Sequence, residues 1–256
     1  MGPVLGTGPG RTAYVAATPG RVKEREAEFQ ERGFCNTVFV MEQHISEASR
    51  PVLRGYLHLA SAVVAPFALV FLVFLADTPR GIIGAAIFGT SLVVLYWTSA
   101  SYHVLVSRRH RGLMRRLDRS VIFIFIAGAY TPFALKLMSN VWGIPILSVV
   151  GGLAIVGFVT TLVAPAARRW VRVGLYLIIG WIGIVGITEL VRSLPGEALA
   201  LLVLGGLLFS VGGATYATRR PDPFPRVFGY HETFHTLQVA ATSVLYYLVA
   251  VYVVQS

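Results

Sequence analysis

Long apolar runs separated by short polar breaks dominate the chain from Arg50 onward. A helix needs about 20 residues to cross the hydrocarbon core of a bilayer, and seven of the runs have roughly that length. The predicted spans are 55–76, 82–106, 118–138, 143–164, 172–190, 197–217 and 230–254. Continuous runs of this length exclude a transmembrane β-barrel, whose strands are short and alternate in polarity. The pattern therefore predicts an all-α polytopic membrane protein, with a seven-transmembrane-helix bundle at residues 47–256.

The first 46 residues have a different pattern. They hold several Gly and Pro residues and then a mixed-charge run from Arg21 to Arg32. No apolar run among them is long enough for the hydrophobic region of a signal peptide. We expect residues 1–46 to form a disordered or partly helical cytoplasmic N-terminal extension, with a short helix near residues 23–30.

The composition agrees with a chain that lies mostly in lipid. Hydrophobic residues make up 55% of it and charged residues only 13%, whereas a soluble domain carries about 25% charged residues. The net charge of +10 could indicate nucleic-acid binding, but most basic residues fall in short breaks between apolar runs. That distribution is typical of membrane proteins, so we expect a multi-pass protein of the cell membrane that binds no nucleic acid.

The basic residues also predict an orientation. The breaks after spans two, four and six, with their immediate flanks, carry twelve arginines, whereas the alternate breaks carry three basic residues in total. Lys and Arg in short loops favour the cytoplasmic side. We therefore predict a cytoplasmic N-terminus and an external C-terminus.

Ionisable side chains at membrane depth are costly and are candidates for function. Five of them fall near the predicted cytoplasmic face, on four different spans: His58, His103, Asp118, His231 and His235. Glu189 differs, because it lies near the predicted outer face. Residues that are distant in sequence are thus predicted to share one depth.

These residues suggest a metal site. His231 and His235 are spaced i, i+4 and so share one helix face, about 6 Å apart along the axis. With His103 as a third ligand, three neutral imidazoles and an open fourth position would be typical of catalytic zinc. Asp118 could hold a metal-bound water, and Ser99, four residues before His103, could support it with a hydroxyl. Cys35 is the only cysteine, so a thiolate-rich metal site is excluded.

Each candidate also has a structural interpretation. An H-x-x-x-H pair arises by chance on many helices, and His103 could be an interfacial residue. Asp118 could be a helix N-cap or could pair with Arg115 or Arg119. Ser99 could bond a backbone carbonyl or allow close helix packing.

Two further polar residues are expected to have supporting or peripheral roles. His58 is interpreted as a residue that packs beside the metal ligands or supports them, rather than as a ligand. Glu232, which lies between the two histidines of span seven, is expected to face solvent or a loop arginine.

Four ordered motifs resemble those of the hemolysin III family, bacterial relatives of the progestin and adipoQ receptors, which include the adiponectin receptors. The motifs are Ser99-Ala100-Ser101-Tyr102-His103, Leu117-Asp118-Arg119, Ala129-Tyr130-Thr131-Pro132 and His231-Glu232-Thr233-Phe234-His235. The resemblance implies seven helices with a cytoplasmic N-terminus. It also implies zinc on His103, His231 and His235, with Asp118 on a bound water and Ser99 nearby. Because the wider superfamily includes alkaline ceramidases, it further implies a lipid-amide hydrolase.

The expected function is zinc-dependent hydrolysis of a lipid-like amide or ester, with membrane lipid as the partner. The alternative is a receptor-like, membrane-homeostasis or cytolytic protein with a structural zinc. Structural zinc usually has four protein ligands, whereas catalytic zinc keeps a water. Only three histidines are expected to converge here, which favours catalysis.

Overall fold

The computed structural model describes residues 56–164, 167–224 and 227–255. Within these ranges, seven helical segments are long and apolar enough to cross a membrane. The seven-helix prediction is therefore confirmed, and the chain is a multi-pass membrane protein. The predicted N-terminal extension at residues 1–46 lies outside the described residues, and the predicted orientation stays a prediction.

Among the described residues, eight α-helices build the bundle, and two of them share the fifth span. They are α1 (Tyr56–Leu75), α2 (Pro79–Ala100), α3 (Arg111–Lys136), α4 (Asn140–Val163), α5 (Arg169–Trp181), α6 (Ile187–Ser193), α7 (Gly196–Thr218) and α8 (Tyr230–Leu248). Three of them continue as tighter or wider turns: α2 into a π-helical segment, Ser101–Leu105; α5 into a 3₁₀ segment, Ile182–Gly186; and α8 into a π-helical segment, Val249–Val253.

The predicted helix limits agree closely with the observed ones except at the start of the third span. The sequence predicts that this span begins at residue 118, but α3 begins at Arg111. The difference arises because the arginines of its first two turns resemble a loop in composition, whereas Arg is a good helix former. Asp118 consequently lies two turns inside the helix, and its interpretation as an N-cap is wrong.

Three spans form the centre of the bundle. Within the most apolar stretch of each span, 44–56% of the residues are buried in the spans that begin with α2, α3 and α8. In the other four spans the buried share is only 22–28%. The peripheral helices present large apolar side chains outward, as Phe74, with 87% of its surface exposed, illustrates. Exposed apolar surface of this extent is suited to contact with lipid. The three central spans also carry all three histidines of the predicted metal site.

Hydrogen bonds between side chains and backbone carbonyls join the helices at defined positions. The Tyr246 hydroxyl of α8 donates to the Ala68 carbonyl of α1 at 2.8 Å, and Trp97 Nε1 of α2 donates to the Ala62 carbonyl at 2.9 Å. Close approach matters at Gly128 of α3, where any larger side chain would meet Ser91 of α2. Small residues permit such helix contacts in membranes.

Ion pairs and helix caps occupy one end of the bundle, where the α1–α2, α3–α4 and α6–α7 connections lie; we call it the opposite end. Lys136 Nζ lies 3.3 Å from Asp77 Oδ1 and donates to Thr78 Oγ1 at 3.1 Å. Glu189 Oε2 accepts a 3.0 Å hydrogen bond from the Ser139 backbone N–H, just before α4 begins. Glu189 therefore satisfies one of the orphan donors of a helix N-terminus.

Candidate metal centre

The histidines of the predicted site come from two helices. α2 ends at Ala100, and its π-helical continuation carries His103; Val106 N–H donates to the Ser101 carbonyl at 3.0 Å, which closes the wider turn. Such π-bulges are frequent at functional sites because they change the direction in which a side chain projects.

The other two histidines lie on the first turns of α8. The helix begins at Tyr230 because its first backbone N–H groups find acceptors. Glu232 Oε2 accepts from Gly229 N–H at 2.9 Å, and Asp222 Oδ1 accepts from Tyr230 N–H at 2.8 Å. The expectation that Glu232 faces solvent is therefore wrong, since its side chain is 1% exposed and the carboxylate fixes the start of α8.

The structure brings His103, His231 and His235 together. One ring nitrogen from each lies within 4.8 Å of the others. The His231 Nε2 atom is 2.9 Å from His235 Nε2 and 3.5 Å from His103 Nε2. Two ligands of a tetrahedral zinc with bonds of about 2.0–2.1 Å are about 3.4 Å apart. These two separations lie within about half an ångström of that value, and the third is at most 4.8 Å, so the three imidazoles could hold a metal ion of this size after small adjustments.

The predicted companions, Ser99 and Asp118, also face this region. Ser99 is buried at 2% exposure, and its Oγ makes no hydrogen bond of normal geometry. It lies close enough to the half-buried Asp118 for the hydroxyl and the carboxylate to interact. A serine hydroxyl can donate to a carboxylate, so Ser99 is placed to orient Asp118. We call His58, Ser99, His103, Asp118, His231 and His235 the histidine end.

A cavity of about 270 Å³ opens beside the cluster. Asp118, His231 and His235 line its polar end, and apolar side chains from α3, α5, α7 and α8 line most of the remainder. The volume is close to the lower limit of about 300 Å³ for ligand pockets, which are also mostly apolar with a few converging polar groups. The cavity therefore suits an apolar chain whose polar end meets the histidines.

Arginine and tyrosine side chains also line the polar end of the cavity, and the sequence did not predict their roles there. Arg172 is 5% exposed, and its one hydrogen bond among the described residues, to the Ala167 carbonyl, is 3.5 Å long. It lies near Arg119 and Tyr176, and the Tyr176 hydroxyl donates to the Arg119 carbonyl at 2.7 Å. In the sequence, Arg172 was indistinguishable from the other basic residues of its loop.

Tyr130 of the Ala129-Tyr130-Thr131-Pro132 motif shapes the far part of the cavity. Its hydroxyl donates to the Gly180 carbonyl at 2.7 Å and accepts from Gly183 N–H at 2.8 Å. These bonds supply partners for backbone groups at the point where α5 gives way to the 3₁₀ segment. Tyr130, Gly180 and Gly183 all line the cavity, so the interruption in the fifth span adjoins the cavity.

Comparisons with known proteins identify the family of this chain. Residues 46–246 match the family described as "Haemolysin-III related". The "Hemolysin-3 homolog" of Bacillus subtilis (strain 168) is 31% identical over 191 residues, which cover 73% of this chain and 87% of the relative. "Hemolysin-3" of Bacillus cereus is 28% identical over 218 residues, which cover 83% and 94% respectively.

A more distant match reaches an animal protein. The "Adiponectin receptor protein" of Drosophila melanogaster is 27% identical over 188 residues, which cover 67% of this chain and 42% of that protein. No solved structure matches the chain. The family match spans all seven membrane segments except the end of the last. The chain therefore belongs to the haemolysin-III related family.

Proposed function

We propose that this protein is a zinc-dependent hydrolase of a lipid-like amide or ester. The observation that carries the proposal is the junction of the three-histidine cluster with the apolar cavity. His231 and His235 belong to both, so a ligand in the cavity would present its polar end to the metal. Membrane lipid is the natural source of such a ligand.

Zinc is the metal that the donor set favours. Imidazole suits zinc, copper, iron and nickel, but not magnesium or calcium. The cluster contains neither thiolate nor thioether, which weighs against copper(I). Three imidazoles are neutral, so Asp118 would offset part of the charge of the ion in a poorly solvated site.

Bound zinc would lower the pKa of a water ligand toward about 7 and polarise the substrate carbonyl. The Asp118 carboxylate would orient that water and accept its proton while the water oxygen bonds to the carbonyl carbon. The same proton would then pass to the leaving nitrogen or oxygen as its bond to carbon breaks, giving a fatty acid and an amine or alcohol. The Ser99 hydroxyl would orient the Asp118 carboxylate.

The remaining polar side chains would recognise the substrate. Arg119 and Arg172 reach the polar end of the cavity, where guanidinium groups would donate hydrogen bonds to the carbonyl or to a polar head group. The apolar wall would hold the acyl chain and exclude bulk water, which strengthens electrostatic interactions in the site. Because apolar side chains form that wall, it would accept acyl chains through shape and hydrophobic contact alone.

The alternative is a receptor-like, membrane-homeostasis or cytolytic protein with a structural zinc. The match to an adiponectin receptor favours ligand binding without turnover, and the names of the two Bacillus relatives point to cytolysis. A structural zinc would have four protein ligands, whereas three converge among the described residues. This count favours a catalytic site.

The test is a hydrolysis screen with purified protein in lipid nanodiscs. N-acyl amides and acyl esters with different head groups would be offered to protein as purified, after chelation and after zinc is restored. We expect fatty acid release from at least one amide or ester, its loss on chelation and its recovery with zinc. Fatty acid release that persists after complete chelation would overturn the proposal. Zinc binding without release from any substrate class would favour the alternative.

A further inference from the structure

His58 of α1 is a buried imidazole that the proposed reaction does not use. Its side chain is 1% exposed, and neither Nδ1 nor Nε2 has a hydrogen-bond partner among the described residues. A buried polar group without a partner costs free energy that a leucine at the same position would not. A histidine at this position therefore implies a role for its ring nitrogens beyond the hydrogen bonds among the described residues.

The position of the ring points to that use. Its centroid lies 4.0 Å from the centroid of His235, with the two planes inclined by 68°. Neither of the other two histidines is as close to His235, since the corresponding distances are 4.4 Å for His231 and 5.2 Å for His103. The other ring against His58 is Tyr96, at 5.3 Å. His58 thus packs directly on one member of the three-histidine cluster.

His58 nevertheless stands outside the cluster itself. The nitrogens that lie within 4.8 Å of one another come from His103, His231 and His235. A histidine that binds a metal almost always donates its other ring N–H to an acceptor, which fixes its tautomer and the direction of its ring. His235 directs Nε2 toward His231. Its Nδ1–H is therefore the group that would donate a hydrogen bond to such an acceptor.

We propose that His58 is the positioning residue for His235: when Nε2 binds the metal, the two rings, which pack edge to face in this structure, turn so that a ring nitrogen of His58 accepts the hydrogen bond from His235 Nδ1–H. This bond holds the lone pair of Nε2 toward the ion and provides a partner for a nitrogen of His58. It also makes α1, a peripheral helix, part of the metal centre. The inference rests on the metal site of the proposed function, but not on hydrolysis.

The test compares zinc affinity, measured by competition with a chromophoric chelator, in wild type and three variants. His58→Leu removes both nitrogens, whereas His58→Asn and His58→Gln each keep an acceptor near one of the two nitrogen positions. We expect His58→Leu to weaken zinc binding by about 10- to 100-fold and one of the amide variants to recover most of that loss. His110→Leu removes an exposed histidine outside the cluster and serves as the matched control, with wild-type affinity.

Thermal unfolding of the metal-free proteins separates positioning from packing. Because His58→Leu removes an unpartnered buried imidazole, we expect its metal-free Tm to equal or exceed that of wild type, while its rise in Tm with zinc is smaller. Unchanged zinc affinity in His58→Leu would overturn the inference, and so would failure of both amide variants to restore binding. If wild type itself binds no zinc, this inference and the proposed function both fail. If wild type binds zinc without hydrolysing lipid, only the proposed function fails.

A spectroscopic measurement distinguishes a positioning residue from a metal ligand. Cobalt(II) in place of zinc reports the number and kind of its ligands through its visible absorption bands. A positioning residue leaves the band pattern of His58→Leu like that of wild type once the site is saturated. A change to the pattern of a lower or higher coordination number would show that His58 binds the metal itself, and would overturn the inference.

Discussion

Polar side chains make different kinds of contact at the two ends of the helical bundle. At the opposite end, Lys136 pairs with Asp77, and Glu189 caps the start of α4. At the histidine end, three imidazoles converge, and the buried His58 ring makes no hydrogen bond among the described residues. Polar groups that pair with each other stabilise a fold, whereas imidazoles that converge on one point can bind a metal ion.

The largest expected difference between the ends concerns their aspartates. Asp118→Asn should lower the rate of lipid hydrolysis by about 10²- to 10⁴-fold, since it removes the group proposed to accept and return the proton. Most of the zinc should remain bound, because the three imidazoles are unchanged. Asp77→Asn, at the opposite end, is the matched control and should keep near wild-type activity. Equal activities in the two variants would remove Asp118 from the mechanism.

The next effect concerns metal affinity. His235→Ala or His231→Ala should weaken zinc binding by about 100-fold or more, because loss of a ligand should exceed the 10- to 100-fold cost of losing a residue that only supports one. Titration with a competing chelator measures this, with His110→Ala as the control outside the cluster. Retention of wild-type affinity in either cluster variant would mean that the metal, if present, binds elsewhere.

A smaller effect is expected for substrate recognition. Arg172→Leu should raise KM by about 10- to 100-fold, which corresponds to the loss of one charge-assisted hydrogen bond, and it should leave zinc affinity unchanged. Arg192→Leu at the opposite end, where Arg192 lies on the surface 3.6 Å from Glu189, provides the comparison and should leave KM unaltered. A fall in zinc affinity in Arg172→Leu would instead assign this arginine to the structure of the metal centre.

The smallest effect is expected from the ion pair of the opposite end. Lys136→Met should lower the free energy of unfolding by about 1 kcal/mol or less, because Asp77 is 55% exposed and solvent screens such pairs. Zinc content and hydrolysis should match those of wild type. Thermal unfolding and metal analysis of the same preparation measure both quantities. A loss of zinc in this variant would show that the two ends are coupled through α3.

The sequence predicted the fold well because bilayer thickness sets helix length directly. The limits of α1 and α7 agree with the prediction to within one residue at each end. The start of α3 was missed because its first two turns, from Arg111 to Arg119, are too basic to resemble a span. Hydropathy identifies the part of a helix that lies in the membrane. It does not identify the part of the same helix that extends beyond the membrane.

The sequence predicted less of the candidate site. Depth alone grouped His103, His231 and His235, because a residue's place along a span is fixed by counting from its end. Which way a side chain faces depends on packing between helices, which hydropathy does not encode. The cavity, the burial of Arg172 and the contact between His58 and His235 all depend on that packing. The solvent-facing alternative for Glu232 was wrong because, in sequence, a carboxylate that caps its own helix looks like a surface carboxylate.

Zinc K-edge X-ray absorption on the purified protein tests the central claim most directly. The three-histidine site predicts one zinc per chain, bound by three imidazole nitrogens at about 2.0–2.1 Å and one oxygen. The absence of stoichiometric zinc would contradict the proposed metal centre. So would a shell that contains sulfur or fewer than three imidazoles, because neither is compatible with an ion held by His103, His231 and His235.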